Sequence, residues 1–84
     1  MTVFVLTGPS GAGKTTVARL LAARFALGVH LEGDVFRRSI VTGRHEMTPE
    51  ASHEAREQLL LRYRLSATAA DMYVEAGFTV VLEM

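Results

Sequence analysis

The chain has 84 residues, of which 49% are hydrophobic and 21% are charged, a composition that fits one small globular domain and argues against disorder. Nine basic residues balance nine acidic ones, so no net field favours nucleic acid or an anionic membrane as a partner. The absence of cysteine excludes disulfides and thiolate sites, and with no membrane-length apolar run and no signal-peptide pattern we expect a cytoplasmic protein.

The first third of the chain predicts a strand, a glycine-rich loop, a helix and a second strand. Residues 2–7 contain an apolar run, which would make both faces of a strand apolar. This is typical of a strand that is buried between two layers. Glycines and a proline interrupt this pattern over residues 8–13, and residues 14–26 then repeat apolar side chains at helical spacing. Gly28 is a suitable stop for this helix, and residues 29–31 predict a short second strand.

The remainder predicts a short helix, a long helix and a third strand. The short helix covers residues 35–41, and a polar loop follows it. Thr48 is the predicted cap of the long helix, with Pro49 at its first position and its end near residue 76. Residues 78–82 predict the third strand. This alternation indicates an α/β fold with a parallel sheet and right-handed crossovers, formed by residues 1–84 as one domain.

A phosphate-binding motif lies between the first strand and the first helix. Residues 8–15 read Gly-Pro-Ser-Gly-Ala-Gly-Lys-Thr and fit the Walker A pattern G-x-x-x-x-G-K-[ST]. The glycines let backbone N–H groups approach phosphate oxygens, Lys14 adds a charge near the β- and γ-phosphates, and the Thr15 hydroxyl can ligate Mg²⁺. We therefore predict ATP and Mg²⁺ as ligands. The predicted nucleotide-binding residues are Gly8, Pro9, Ser10, Gly11, Ala12, Gly13, Lys14, Thr15 and Thr16.

Lys14 is the only lysine of the chain. An N-K-x-D element, which guanine-reading switch proteins carry, is therefore absent from these residues. We expect Lys14 to contribute to catalysis as well as to binding.

The Walker A unit followed by Leu31-Glu32-Gly33-Asp34-Val35-Phe36-Arg37-Arg38 resembles the P-loop small-molecule kinases. These include the gluconate, shikimate and adenylylsulfate kinases and the chloramphenicol phosphotransferases. The resemblance covers nearly the whole chain in the order of its elements and is specific at residues 8–16 and 33–37. It implies a P-loop NTPase-type fold and transfer of the γ-phosphoryl group of ATP to a hydroxyl of a small molecule.

Asp34 matches an aspartate that in this family acts as a base toward the acceptor hydroxyl or helps to hold the metal. The topology agrees, because the carboxyl ends of neighbouring parallel strands share one crevice. The alternative is that Asp34 only caps the next helix. Arg37 and Arg38 are candidates for binding an anionic acceptor; the pattern G-D-x-x-R resembles the adenylylsulfate kinases and favours Arg37. Arg44 is a weaker candidate.

Three further residues lie near these positions. Glu83 follows the third strand, where many P-loop proteins carry a Walker B acid, although an ordinary acid at a strand end is an equal alternative. Glu32 is expected to point away from Asp34, because side chains alternate along a strand. His30 is expected to be packed or hydrogen-bonded within the sheet.

Relatives of this type carry two further strands and an arginine-bearing lid, in the sheet order 2-3-1-4-5. The chain would then be cut after its third strand, and its apolar first strand would be an open edge. We expect the remainder of a longer chain, or self-association, to cover this edge. The activity of these 84 residues alone is left open, as are two alternatives: an ATPase that needs no acceptor, and an ATP-binding module without phosphotransferase activity.

Overall fold

A parallel sheet forms the centre of the computed structural model, which describes residues 2–9 and 13–84. Its strands are β1 (Val3–Leu6), β2 (Gly28–Glu32) and β3 (Thr79–Glu83). They lie in the order β1-β3-β2, and both outer strands run parallel to β3. The predicted α/β class, the open parallel sheet and the place of the first strand at an edge are confirmed.

Three helices flank the sheet in the described residues: α1 (Lys14–Ala22), α2 (Asp34–Arg38) and α3 (His53–Glu75). Side chains of β3 alternate between the two faces of the sheet. Val81 packs with Ala18 of α1, whereas Val80 and Leu82 pack with Ala70 of α3. Helices α1 and α3 therefore cover opposite faces of the sheet, and β3 is the strand buried between them. No helix in the described ranges is both long enough and apolar enough to cross a membrane.

The first helix ends earlier than predicted. It stops at Ala22 instead of near residue 26, and Gly28 begins β2. At Gly28 the backbone passes so close to the carbonyl group of Ala22 that a Cβ atom would clash with it. The chain thus turns back onto the sheet within a few residues, and the apolar side chains after Ala22 belong to this turn.

The long helix begins later than predicted. Its N-cap is Ser52, whose hydroxyl accepts a hydrogen bond from the Ala55 N–H at 3.1 Å. Thr48 and Pro49 precede the helix, and Pro49 lies in a turn. Proline is favoured in turns as well as at a first helical position, so the Thr-Pro pair fits both conformations. The predicted cap at Thr48 was wrong.

The edge strand β1 has a large exposed apolar surface. Val5 is 56% exposed and Val3 is 39% exposed, while Phe4 contacts Phe25 with ring centroids 5.9 Å apart. Edge strands with apolar side chains and no charge offer unpaired backbone groups to another chain.

Candidate functional site

A cleft of about 530 Å³ lies at the carboxyl ends of the strands, beside the first turn of α1. Gly13 is the N-cap of α1 with a φ of 76°, a left-handed conformation that glycine adopts without steric cost. The first turn of the helix then directs Lys14, Thr15 and Thr16 into the cleft. The described residues of the Walker A motif therefore lie where the sequence predicts, after the end of β1 and at the start of α1.

Lys14 reaches across the cleft. Its Nζ donates hydrogen bonds to the Gly8 carbonyl at 2.7 Å and to the Met84 carbonyl at 3.0 Å. These contacts hold the ammonium group between the end of β1 and the end of β3. Neutral carbonyls bind an ammonium group less strongly than phosphate oxygens do, so a nucleotide can replace them.

The side chain of Glu83, the last residue of β3, connects α1 with β2. Its Oε2 accepts a hydrogen bond from the Thr15 hydroxyl at 2.8 Å, and its Oε1 lies 2.7 Å from Nε2 of His30. Burial alone would raise the pKa of Glu83, but the hydrogen bonds from His30 and Thr15 and the charge of Lys14 lower it below its ordinary value. An ionised carboxylate only accepts hydrogen bonds, so Nε2 of His30 is the donor.

Asp34 lies on the other side of the same cleft, at the start of α2. The N-cap of this helix is Gly33, and no side chain caps it, so the alternative role of Asp34 as a cap was wrong. The Asp34 carboxylate accepts hydrogen bonds from Arg37 Nε at 2.7 Å and from Arg37 Nη2 at 3.2 Å. Nitrogens of Arg38 and Arg62 lie 3.5 and 3.8 Å from it.

These three guanidinium groups set the charge state of Asp34. The hydrogen bond from Arg37 is the largest cause that lowers the pKa of Asp34, and the charges of Arg37, Arg38 and Arg62 add to it against the opposing effect of burial. The carboxylate is thus ionised near neutral pH and held in a fixed orientation.

Arg37 is paired on both sides of its guanidinium group. Besides its bonds to Asp34, its Nη1 donates to both carboxylate oxygens of Glu46 at 2.8 Å. The hydrogen bond to Asp34 is the main reason that the pKa of Arg37 is raised. Nε of Arg44 also lies 3.2 Å from Glu46. The geometry gives Arg37 a function in holding Asp34, while its predicted contact with an acceptor stays a prediction.

A second cavity of about 410 Å³ adjoins the cleft. It lies between α2, the segment that follows it and the first half of α3, and Asp34 and Arg62 line both spaces. The Arg62 side chain is 22% exposed, and within the described part of the chain its buried Nε has no hydrogen-bond partner. Asp34 and Arg62 therefore form the boundary between the cleft and the second cavity.

Comparison with known protein families agrees with this geometry. A family model described as AAA domain matches residues 3–84. The chain belongs to the AAA domain family. It is a P-loop nucleotide-binding protein. No curated protein matches this sequence.

The cleft of this AAA domain contains most of the residues that the sequence singles out. Ser10, Gly11 and Ala12 lie outside the described residues, and Arg37 lines the second cavity only. Pro9 is not among the residues that line the cleft. The predicted residues that do line it are Gly8, Gly13, Lys14, Thr15, Thr16 and Asp34.

Glu32 also lines the cleft, contrary to the prediction that it points away from Asp34. Asp34 lies two positions after Glu32, and side chains two positions apart share a face wherever a strand continues, so the prediction misapplied strand alternation. The same rule places Glu32 on the same face as His30, two positions earlier. In the register between β2 and β3, Glu32 lies directly beside Glu83. These three side chains share the sheet face that α1 covers.

The same pairing forms an oxygen-rich set of donors beside Thr15. Ligand atoms of His30, Glu32 and Glu83 all lie within 4.8 Å of one another. The Thr15 hydroxyl and the Glu83 carboxylate are hard oxygen donors of the kind that Mg²⁺ prefers, so these residues fit the predicted metal. The carboxylate of Asp34, the other predicted ligand, faces arginines instead.

Arg62 is the residue of this site that the sequence prediction missed. It shares one face of α3 with Ala55, Leu59, Ser66 and Ala70, at spacings of three or four residues. Three of these neighbours are buried: Ala55, Ser66 and Ala70. The sequence does carry a signal for Arg62: it is an arginine on a helix face whose other residues are small or apolar. A guanidinium group on a face that packs against the protein needs a partner.

Proposed function

We propose that this AAA domain belongs to a kinase that transfers the γ-phosphoryl group of ATP to a hydroxyl of a small molecule, with Mg²⁺. The observation that carries the proposal is the position of Asp34. Its carboxylate lines both the cleft that contains the Walker A lysine and a second cavity with room for an acceptor. A carboxylate between a phosphate site and an acceptor site can orient an acceptor hydroxyl toward the γ-phosphate and accept its proton.

The nucleotide is held by the Walker A residues. Lys14 exchanges its bonds to the Gly8 and Met84 carbonyls for bonds to the β- and γ-phosphates. Thr15 and Glu83 would hold Mg²⁺ from the α1 side of the cleft. When it is bound, Mg²⁺ neutralises charge that develops on the phosphate oxygens.

Asp34 accepts a hydrogen bond from the acceptor hydroxyl and receives its proton as the new bond to phosphorus forms. The lowered pKa keeps the carboxylate ionised and ready to accept. It also makes Asp34 a weak base, which suits a loose transition state in which the proton moves late. Arg37 fixes the carboxylate through two hydrogen bonds, which limits the orientations that the acceptor can adopt.

Two substitutions in the full protein test this proposal. Lys14→Ala should abolish ATP binding, measured by calorimetry. Asp34→Asn should retain ATP binding and lose phosphoryl transfer, measured as the phosphorylated product. Asp71→Asn makes the same chemical change at an exposed position of α3 that lines neither cavity, and it should behave as the unchanged protein. Full turnover by Asp34→Asn would reject the function proposed for Asp34.

The hydrogen bond between Thr15 and Glu83 favours a second candidate function, an ATPase. An ionised acid beside the Walker A threonine can orient a water molecule for attack on the γ-phosphate. ATP hydrolysis without any acceptor distinguishes the two functions. A rate that is unchanged by every added alcohol, and is lost in Glu83→Gln but not in Asp34→Asn, supports the ATPase. If ATP binds and neither reaction occurs, the chain is a nucleotide-binding module.

A further inference from the structure

The polar groups around the second cavity are bonded to one another. The Gln58 amide oxygen accepts from the His45 N–H at 2.8 Å, and its nitrogen donates to the Gly43 carbonyl at 2.8 Å. Arg37 binds Glu46 with both oxygens at 2.8 Å. An acceptor with many hydroxyl groups would therefore need to break internal hydrogen bonds before it gained new ones.

The remaining walls of the second cavity are mainly hydrocarbon. Phe36 and Ile40 line it from the α2 side, and Leu59, Leu61 and Leu65 line it from α3. Two of these leucines expose a large part of their surface, 46% for Leu61 and 40% for Leu65. Apolar surface that faces a cavity gains from contact with an apolar ligand in proportion to the area removed from water.

The two cavities meet at a pair of complementary groups. Nη1 of Arg62 lies 3.8 Å from Oδ1 of Asp34, and the Arg62 side chain is 22% exposed. A hydroxyl can donate to a carboxylate and accept from a guanidinium group at the same time. One alcohol group at this boundary would donate to the Asp34 carboxylate and accept from the Arg62 guanidinium group, with the rest of the ligand in the apolar cavity.

We propose that the second cavity binds an alcohol whose body is mainly hydrocarbon, and that this class of molecule is the acceptor. The inference rests on the proposed kinase function and specifies its substrate class. It replaces the anionic acceptor that the arginines of α2 suggested in the sequence, since the Arg37 guanidinium group is already paired with Asp34 and Glu46.

The reaction consumes ATP and the alcohol and yields ADP and a phosphate monoester. A lone pair of the alcohol oxygen forms the new bond to the γ-phosphorus. The bond between this phosphorus and the β,γ-bridging oxygen breaks, and ADP leaves with its electron pair. The hydroxyl proton passes to the Asp34 carboxylate and then to solvent.

The first experiment measures phosphoryl transfer by the full protein to benzyl alcohol, phenylethanol and phenylpropanol. Each added methylene buries further apolar surface, so kcat/KM should rise about fourfold per methylene until the cavity is filled. Glycerol and glycerate are the comparison acceptors, one polar and neutral, the other polar and anionic. Both should be poorer acceptors than any of the three aromatic alcohols.

Two adjacent leucines of α3 provide a matched pair of variants. Leu61 lines the second cavity, whereas Leu60 lines neither cavity, and their exposures of 46% and 55% are similar. Leu61→Gln should flatten the increase along the alcohol series without a change in ATP affinity. Leu60→Gln should leave the increase intact. Because both side chains are half exposed, neither change is expected to prevent folding.

Calorimetry on the ADP-bound protein with phenylpropanol separates this inference from the function on which it rests. Binding that Leu61→Gln weakens, together with no phosphate ester from any alcohol, supports the cavity assignment and rejects the kinase. Transfer to glycerol or glycerate in preference to the aromatic alcohols supports the kinase and overturns the inference. An increase along the series that Leu61→Gln leaves intact also overturns it, and so does the absence of phenylpropanol binding.

Discussion

The Thr15 hydroxyl donates a hydrogen bond of 2.8 Å to Oε2 of Glu83, a residue 68 positions later in the chain. This bond joins the start of α1 to the end of β3. The other oxygen of Glu83 binds His30, so the carboxylate is fixed on both sides. Thr15 therefore does not act as an isolated Walker A hydroxyl but as part of a three-residue network across the sheet.

Glu83→Gln tests the contribution of this network to metal binding. The amide oxygen can still accept from Thr15, but the negative charge beside the hydroxyl is lost. We expect Mg²⁺ to bind about tenfold more weakly in the presence of ATP, with little change in ATP affinity without Mg²⁺. Glu75→Gln is the control, because Glu75 is exposed at the end of α3 and lines neither cavity. Equal Mg²⁺ affinity in both variants, measured by titration calorimetry, would contradict a metal-binding function for Glu83.

The lowered pKa of Glu83 predicts a dependence of stability on pH. A carboxyl whose pKa is lower in the folded chain contributes stability above its ordinary value of 4.5, and loses it as the pH falls through the folded pKa. The difference in unfolding free energy between the unchanged protein and Glu83→Gln should therefore be largest near neutral pH and shrink in acid. Urea denaturation of the nucleotide-free proteins measures it. A difference that stays constant or grows below pH 4.5 would reject the assignment.

Much of this fold follows from simple sequence patterns. The apolar runs of the three strands, the glycine-rich loop after the first strand and Gly77 before the last strand predict the α/β class and the order of elements. The Walker A motif locates the cleft, because its loop must connect a strand to a helix. The position of Glu83 at the end of a buried strand indicates an acid at the same end of the sheet as Thr15.

Other features depend on geometry that sequence patterns do not encode. The contact of His30 with Glu83 requires the register between β2 and β3, which pairs Glu32 with Glu83. The second cavity depends on how α3 crosses α2, and so the proximity of Arg62 to Asp34 could not be inferred from their positions in the chain. The prediction for Glu32 was wrong for a simpler reason, because side chains two positions apart in a strand, as Glu32 and Asp34 would be, lie on the same face.

Arg37→Lys tests whether the orientation of Asp34 matters for catalysis. Lysine keeps the positive charge but cannot form the paired hydrogen bonds of the guanidinium group. We expect kcat of the full protein to fall by roughly 10- to 100-fold, with ATP affinity unchanged, because the acceptor hydroxyl loses its fixed partner. Arg56→Lys, at an exposed position of α3 outside both cavities, is the control. An equal kcat in the two variants would show that Asp34 needs no support from Arg37.

Ser52→Ala tests the start of α3. The hydroxyl of Ser52 accepts from the Ala55 N–H, so its removal leaves a backbone donor of the first turn without this partner. We expect the variant to lose about 1 kcal/mol of unfolding free energy, measured by urea denaturation. Thr48→Ala is the matched control and should change the stability little, because Thr48 lies before the helix. A larger loss for Thr48→Ala than for Ser52→Ala would return the helix start to the position predicted from the sequence.

Val5→Lys tests the proposal that another chain segment or a second copy covers the edge strand β1. Val5 is 56% exposed on the strand that forms one edge of the sheet in the described residues, so we expect the 84-residue chain to self-associate. A lysine at the edge opposes further strand pairing, and sedimentation should then detect a smaller species. Val17→Lys is the control, since Val17 is 53% exposed but lies on α1. A well-folded monomer of the unchanged 84-residue chain would reject self-association at this edge.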